Sequence, residues 1–186
     1  YGTVSIGIDS KYLQEITNEI KGSCRTFGIK NKADIMAKNI SYKKNYSTFD
    51  VVLNNNKKFN VNLQVPGLHN IYNALSAISV SLDMDIDIED IIVGLQKYNG
   101  VKRRFEIKYH NINKKEIMII DDYAHHPVEI YSTLKAAKAG WPQRRIISIF
   151  QPHLFSRTKD FYKEFASSLL ESDLNIITPI YPSREK

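Results

Sequence analysis

The sequence predicts an α/β fold, and three observations carry that expectation. Apolar and polar residues alternate over positions 49–53 and 59–65, the period of half-buried strands. Apolar residues then recur at helical spacing, first in Ile71, Ala74, Leu75, Ile78 and Leu82, then in Ile88, Ile91, Ile92 and Leu95. Beyond Gly100 short apolar runs alternate with helical segments, the order of a parallel sheet covered by helices.

Taken in order, residues 4–8 read as a strand and residues 10–21 as a helix, with a β-rich stretch after them. Asn54-Asn55-Asn56 is a turn signal that joins the two alternating runs into a hairpin, and Pro66-Gly67 ends the β region. Of the two helices that follow, the second has Asp87 where a cap is expected and Gly100 where a left-handed stop is expected. Residues 103–110 and 116–120 read as strands joined by the polar loop 111–114. Pro127, favoured at the first position of a helix, starts the next helix, with Glu129 in its first turn, Lys135 and Lys138 near its end and Gly140 beyond it. Residues 146–150 form a strand, residues 158–170 an amphipathic helix and residues 174–180 a further strand. A domain boundary near Val101 divides the chain into 1–101 and 102–186.

With 186 residues the chain can hold one ordinary domain or two small ones. Its 42% hydrophobic and 25% charged residues are those of a water-soluble globular chain. No apolar run is long enough to cross a bilayer, Tyr1-Gly2-Thr3 resembles no signal peptide, and the single Cys24 fits a reducing cytoplasm. The formal charge of +6 is scattered, as in Lys43-Lys44, Lys57-Lys58, Lys114-Lys115 and Arg144-Arg145. This describes a solvated surface, and neither nucleic acid nor a membrane is expected as a partner.

Two loops leave the carboxyl ends of strands in the second part, where α/β sheets bind their ligands. Asp121-Asp122-Tyr123-Ala124-His125-His126-Pro127 follows residues 117–120, and Gln151-Pro152-His153-Leu154-Phe155-Ser156-Arg157 follows residues 146–150. If those strands are adjacent and parallel, acids, imidazoles and a guanidinium converge on one edge. Helix capping accounts for Asp121 or Ser156 taken singly, but not for His125, His126, His153 and Arg157 arriving together. Metal binding by His125-His126 ranks below substrate positioning, because adjacent histidines rarely direct both rings at one ion. No metal site is expected in this chain. Asn70 and Asn73 lie on one face near a helix start. Each amide offers an acceptor and two donors, which suits adenine. Spacing alone leaves this reading and a capping Asn70 with an exposed Asn73 equally open.

Gly67-Leu-His-Asn-Ile-Tyr-Asn-Ala-Leu75, Gly100-Val-Lys-Arg-Arg-Phe-Glu106, Asp121-Asp-Tyr-Ala-His-His-Pro127, Phe150-Gln-Pro-His153 and Ser156-Arg-Thr158 together resemble successive motifs of the Mur ligases. They occur in the family's order and at about its spacing. The resemblance implies a Mur ligase fold: the end of the central ATPase domain, followed by the first part of a Rossmann-like C-terminal domain. Within the family, Phe150–Thr158 and Tyr181-Pro-Ser-Arg-Glu-Lys186 are similar to the branch that adds L-alanine; the tripeptide-recycling branch shares the Asp-Asp-aromatic-Ala-His-His-Pro loop.

The resemblance further implies peptidoglycan-precursor synthesis, in which ATP activates the lactyl carboxylate of UDP-N-acetylmuramate as an acyl phosphate and the amine of L-alanine attacks it. Asn70 and Asn73 match residues that approach adenine, Arg104 one that reaches the nucleotide from the domain hinge, and Asp122 one on its ribose side. Tyr123, His125, His153 and Arg157 match the amino-acid pocket, with Arg157 pairing the carboxylate as a fork. Arg104, Asp122 and His125 make up the expected catalytic set, while His126 supports the loop. Leu154 stands where several relatives carry a second arginine. The Gly-x-x-x-x-Gly-Lys-Ser/Thr phosphate loop is not in this sequence, and ligands for Mg2+ are expected outside it. The chain therefore reads as an incomplete part, inactive alone. The alternatives are a tripeptide-recycling ligase, a folylpolyglutamate-synthase-like or cyanophycin-type ligase, and a non-catalytic nucleotide-binding remnant.

Overall fold

The computed structural model of the chain describes residues 2–110 and 116–185, so the loop expected at 111–114 lies outside the described residues. The chain divides into two compact units, Tyr1–Asn99 and Gly100–Lys186.

The first unit is a five-stranded sheet in the order β1-β2-β3-β4-β5. β1 (Thr3–Gly7), α1 (Lys11–Thr17) and β2 (Ser23–Gly28) form a strand–helix–strand unit with β1 and β2 parallel. The helix is shorter than the 10–21 expected, and Ser10 stands at its N-cap without a side-chain cap bond. β3 (Ile35–Lys43) joins β2 in parallel at only Phe27↔Ile35 and Gly28↔Met36. The strands overlap end to start, so a short link serves where a full parallel crossover needs a dozen residues. β4 (Tyr46–Leu53) and β5 (Lys58–Leu63) form the expected hairpin, antiparallel, with β4 also antiparallel to β3.

α2 (Leu68–Asp83) packs on β1, β2 and β3, and α3 (Ile88–Lys97) on β5. The helical stripe meets the alternating strands there: Ile71, Leu75 and Ile78 are fully buried with Phe49, Val51 and Val61. Asp87 occupies the N-cap of α3 with extended backbone, but its side chain makes no cap bond, so the expected capping role fails. Gly100 has φ 90°, the left-handed conformation anticipated after the helix, which glycine adopts without steric cost.

In the second unit β6 (Glu106–His110) pairs antiparallel with β7 (Met118–Asp121). Residues 103–105, expected in the strand, lie outside it, and Arg103 and Phe105 have φ of 58° and 48°. α4 (Pro127–Gly140) has proline in its first turn as expected, but Gly140 is its last residue rather than the stop beyond it. β8 (Ile147–Phe150) is parallel to β9 (Leu174–Ile177), which ends short of the expected residue 180. The expected helix 158–170 is two helices, α5 (Phe155–Asp160) and α6 (Tyr162–Leu169). The break falls at Phe161, whose ψ of 22° leaves the helical range and whose ring lies 5.1 Å from that of His126. A small core gathers Ile130, Leu134, Phe150, Phe165 and Leu169.

One expectation about this unit is corrected. Among the described residues β7 pairs only with β6, and β8 only with β9. Between β7 and β8 lies a largely apolar groove of about 690 Å³, lined by Ile119, Ile120, Ile147 and Ile149 and floored by Ile130 and Leu134 of α4. The two loops meet through side chains rather than through neighbouring strands.

Candidate functional site

Each unit positions one group of the expected residues. In the first, Gly67 takes φ 98° at the N-cap and turns the chain into α2, three residues before the helix presents Asn70. Asn70 donates from Nδ2 to the Pro66 carbonyl at 2.7 Å, and its Oδ1 accepts from Asn73 Nδ2 at 3.4 Å. Asn70 thus ties the helix start to the preceding loop, while Asn73 is exposed and retains its own amide oxygen.

The start of α2 is fixed by a residue the sequence reading passed over. Asp9, just beyond β1, accepts from the backbone N–H groups of Ile29 at 2.6 Å and Asn31 at 2.8 Å, from Lys30, and from the Tyr72 hydroxyl at 2.7 Å. Burial raises the Asp9 carboxyl pKa, but these four donors outweigh it and bring it down to about 2. The Tyr72 hydroxyl is pushed well above its ordinary value, by burial and then by Asp9. Tyr72 lies between Asn70 and Asn73, so this clamp holds the turn of helix that carries both. Its position inside that motif was the available signal, whereas its acidic partner is 63 residues distant.

In the second unit Asp122 is a connector. Its carboxylate accepts from Phe105 N–H at 2.9 Å, Ala124 N–H at 2.8 Å and the Thr133 hydroxyl at 2.9 Å. The Phe105 bond holds a residue in the left-handed region, where a non-glycine backbone stores strain and persists only when its surroundings determine it. Arg104, between the strained Arg103 and Phe105, is exposed and reaches Glu129 Oε1 at 3.3 Å.

Glu129, noted in the sequence only as a first-turn acid, organises the loop. Its Oε2 accepts from the backbone N–H groups of His125 at 2.9 Å and His126 at 3.1 Å. Burial raises its pKa, and the His125 N–H, the nearby His125 ring and Arg104 reverse that, leaving the carboxyl below its usual value. His126 caps α4 by accepting from Val128 N–H at 3.4 Å, the supporting part expected of it. A cap whose bond is reciprocated by a glutamate three residues later is a capping box, but histidine is not among the usual cap residues, so the sequence showed only the first-turn acid.

His125 Nδ1 lies 2.9 Å from the Tyr123 carbonyl and 3.4 Å from Glu129 Oε2. Both are acceptors, so Nδ1 carries the proton and Nε2 is the lone-pair nitrogen of the neutral ring. The His125 ring lies 5.1 Å from Tyr123 and 6.3 Å from His153, and His153 stacks at 5.7 Å on Tyr181. At the other end of this run the Arg103 guanidinium is 4.7 Å from the Tyr123 ring centre. Arg157 Nη1 donates to the His125 carbonyl at 3.5 Å, a long bond and the one its guanidinium makes among the described residues. Tyr123, His125, His153 and Arg157 are thus gathered in one cluster, to which the structure adds Tyr181. The rings of His125 and His126 have different neighbours, which argues against a shared metal ion. Among the described residues no group of three or more His, Cys, Asp and Glu could hold a metal. With Asp122 and Glu129 already engaged by N–H and O–H donors, these residues do not fit a magnesium site. No described helix is long and apolar enough to cross a membrane.

The fold and the two clusters define a class. Residues 1–81 match the Mur ligase middle domain and residues 103–186 the Mur ligase glutamate ligase domain, so the chain belongs to the Mur ligase family. Within it the chain is 43% identical, over its full length, to the UDP-N-acetylmuramate–L-alanine ligase of Pelodictyon phaeoclathratiforme, of which it covers 38%. It is 45% identical over 96% of its length to that of Clostridium kluyveri, again covering 38% of the relative. The crystal structure of UDP-N-acetylmuramate–alanine ligase from Thermotoga maritima superposes on 91% of the chain, with 36% of that protein covered, TM-score 0.77 and 32% identity. The chain thus spans about two fifths of the length of these relatives.

Proposed function

We propose that the protein carrying this chain is an ATP-dependent ligase that joins L-alanine to UDP-N-acetylmuramate in the cytoplasm. The observation that carries this reading is the meeting of Tyr123 and His125 with His153 and Arg157 at the ends of β7 and β8. The similarity to alanine-adding relatives supports it.

In the first step the lactyl carboxylate attacks the γ-phosphorus of ATP, giving an acyl phosphate and ADP. In the second the amine nitrogen of L-alanine attacks the acyl carbon, the carbon–oxygen bond to phosphate breaks, and amide and phosphate result. The proposed part of Asn73 is to present its exposed amide to adenine, with Asn70 holding it in place. Arg104, tethered to Glu129, is proposed as a cation for the nucleotide, and Asp122, which fixes the backbone that carries it, for the ribose side. Arg157 offers its spare N–H groups to the alanine carboxylate, and a planar fork matches two oxygens. His125, protonated at Nδ1, presents Nε2 to take a proton from the incoming ammonium group, since only the free amine is nucleophilic. Tyr123 and His153 wall the pocket. Fixed positions of this kind lower the barrier by removing the freedom of the reactants before the reaction. The magnesium that accompanies ATP in this reading finds no ligand set among the described residues.

The test is a ligation assay on the full-length protein with UDP-N-acetylmuramate, ATP and labelled L-alanine. Losing a charge-assisted partner costs ~1.5–3 kcal/mol, so Arg157→Ala should raise KM for alanine roughly 10- to 150-fold. KM for ATP should stay within about twofold of the parent. Equal rises for both substrates would remove Arg157 from the alanine site.

A further inference from the structure

We propose that Glu185 is a positioning residue of the amino-acid pocket, holding the start of α5 so that Arg157 is presented in one orientation. The inference rests on the reading of Arg157 as the group that binds the carboxylate, and goes beyond it by naming what sets that arginine in place.

α5 begins without help from its own chain start. Its N-cap is Leu154, whose aliphatic side chain makes no cap bond and whose backbone has φ 73°, a conformation that costs a non-glycine residue strain. The acceptor that a cap residue would supply comes instead from 29 residues away. Glu185 Oε2 accepts from Ser156 N–H at 3.1 Å, and its Oε1 accepts from the Ser156 hydroxyl. Both carboxylate oxygens are therefore spent on the residue that immediately precedes Arg157. The Ser156 hydroxyl first, and then its N–H, hold the Glu185 carboxyl below its ordinary value.

The segment that delivers Glu185 is itself fastened to the pocket. Tyr181 N–H donates to the Pro152 carbonyl at 2.8 Å, and Leu154 N–H donates to the Tyr181 carbonyl at 2.9 Å. His153 and Tyr181 pair as a parallel bridge with their rings 5.7 Å apart. A turn closed by Glu185 N–H donating to the Pro182 carbonyl at 3.0 Å then returns the carboxylate to Ser156. Among the described residues Arg157 has little else to orient it: its guanidinium makes one 3.5 Å bond to the His125 carbonyl, at the weak end of hydrogen bonding. The backbone just before it is the stronger constraint, and Glu185 supplies it.

Two measurements test this. In the chain of 186 residues, 15N NMR reads the Ser156 amide and the Arg157 Nε–H. Glu185→Ala should speed Ser156 amide exchange about tenfold and shift the Arg157 Nε resonance, and Glu185→Gln, which keeps one acceptor, should do so less. In the full-length protein Glu185→Ala should raise KM for L-alanine roughly tenfold with kcat and KM for ATP within about twofold. Adding Ser156→Ala should raise it no further, because both changes remove one interaction. Should Glu185→Ala fail to fold, Glu185→Gln carries both measurements with smaller expected effects. An unchanged Arg157 resonance overturns the proposal, and so does a KM rise shared equally by alanine and ATP, which would mark a cap and nothing more. A parent protein indifferent to L-alanine would defeat the reading of Arg157, while the resonance shift would still show whether Glu185 orients it.

Discussion

The two units hold themselves together by different means. In the first, Phe49, Val51, Val61, Ile71, Leu75 and Ile78 are inaccessible to solvent, and α2 and α3 pack on a sheet of five paired strands. In the second, no described core residue is fully sealed, while Ile147, Ile149 and Ile177 of its strands are 51%, 73% and 61% exposed. What the second unit lacks in packing it has in directed polar bonds: Asp122, Glu129 and Glu185 each gather backbone N–H groups from loops. A binding loop cannot bury its polar groups in apolar surroundings, so its shape has to come from hydrogen bonds aimed at particular atoms.

The comparison breaks most visibly in the core of the first unit. Leu75→Ala removes a side chain with no exposure, and a deletion of that kind costs about 2–5 kcal/mol. Hydrogen exchange should show the amides of α2 and β4 losing that protection while those around Ile130 and Phe165 keep theirs. Equal loss in both units would mean that they unfold as one.

Glu129→Ala is the matching test in the second unit. It leaves the His125 and His126 amides without their acceptor and should cost about 0.5–2 kcal/mol, the range for a lost cap. In NMR spectra the loop from Tyr123 to His126 should lose its single conformation before α4 unfolds. A melt indistinguishable from the parent, with loop resonances in place, would show that packing rather than polar bonding shapes this loop.

The smallest effect is a pH dependence in the first unit. Asp9 has its pKa lowered from 3.8 to about 2 in the folded chain, so its contribution to stability is complete above 3.8 and is lost as pH falls toward 2. Asp9→Asn should flatten the fall in the melting temperature of that unit between those values. An unchanged slope would assign the acid sensitivity to Asp34, whose carboxyl is also held low, by the Thr26 N–H and hydroxyl against burial.

What could be read from the sequence was local. The hairpin of β4 and β5 showed in its alternation, and α2 in its stripe, because burial on one face imprints a period. β2 and β3 went unassigned, since Cys24, Arg25 and Thr26 and the polar run after Ala37 carry no clean alternation. The break at Phe161 was equally hidden: the stripe from residue 158 to 170 continues across it, and only the contact with the His126 ring explains the bend. At the candidate site the residue types were visible, but their bonding was not. Asp122 spends its oxygens on Phe105 and Thr133, 17 and 11 residues distant, which no spacing rule anticipates. Glu129 was visible only as a first-turn acid, whereas its pairing with Arg104 depends on how the strained turn at 103–105 is folded.

The groove between β7 and β8 also bears on how the chain behaves as a colloid. Among the described residues β7 and β8 have no strand partner across this groove; a strand edge beside exposed isoleucines is a template for another strand, and a second copy of the chain can supply one. The net charge of +6 opposes that encounter at low salt, where repulsion reaches tens of ångströms. Near molar salt its reach shrinks to about 3 Å and the repulsion no longer keeps the grooves apart. Solutions of the isolated chain should therefore scatter more light as salt is added, with the onset moving to lower salt as protein concentration rises.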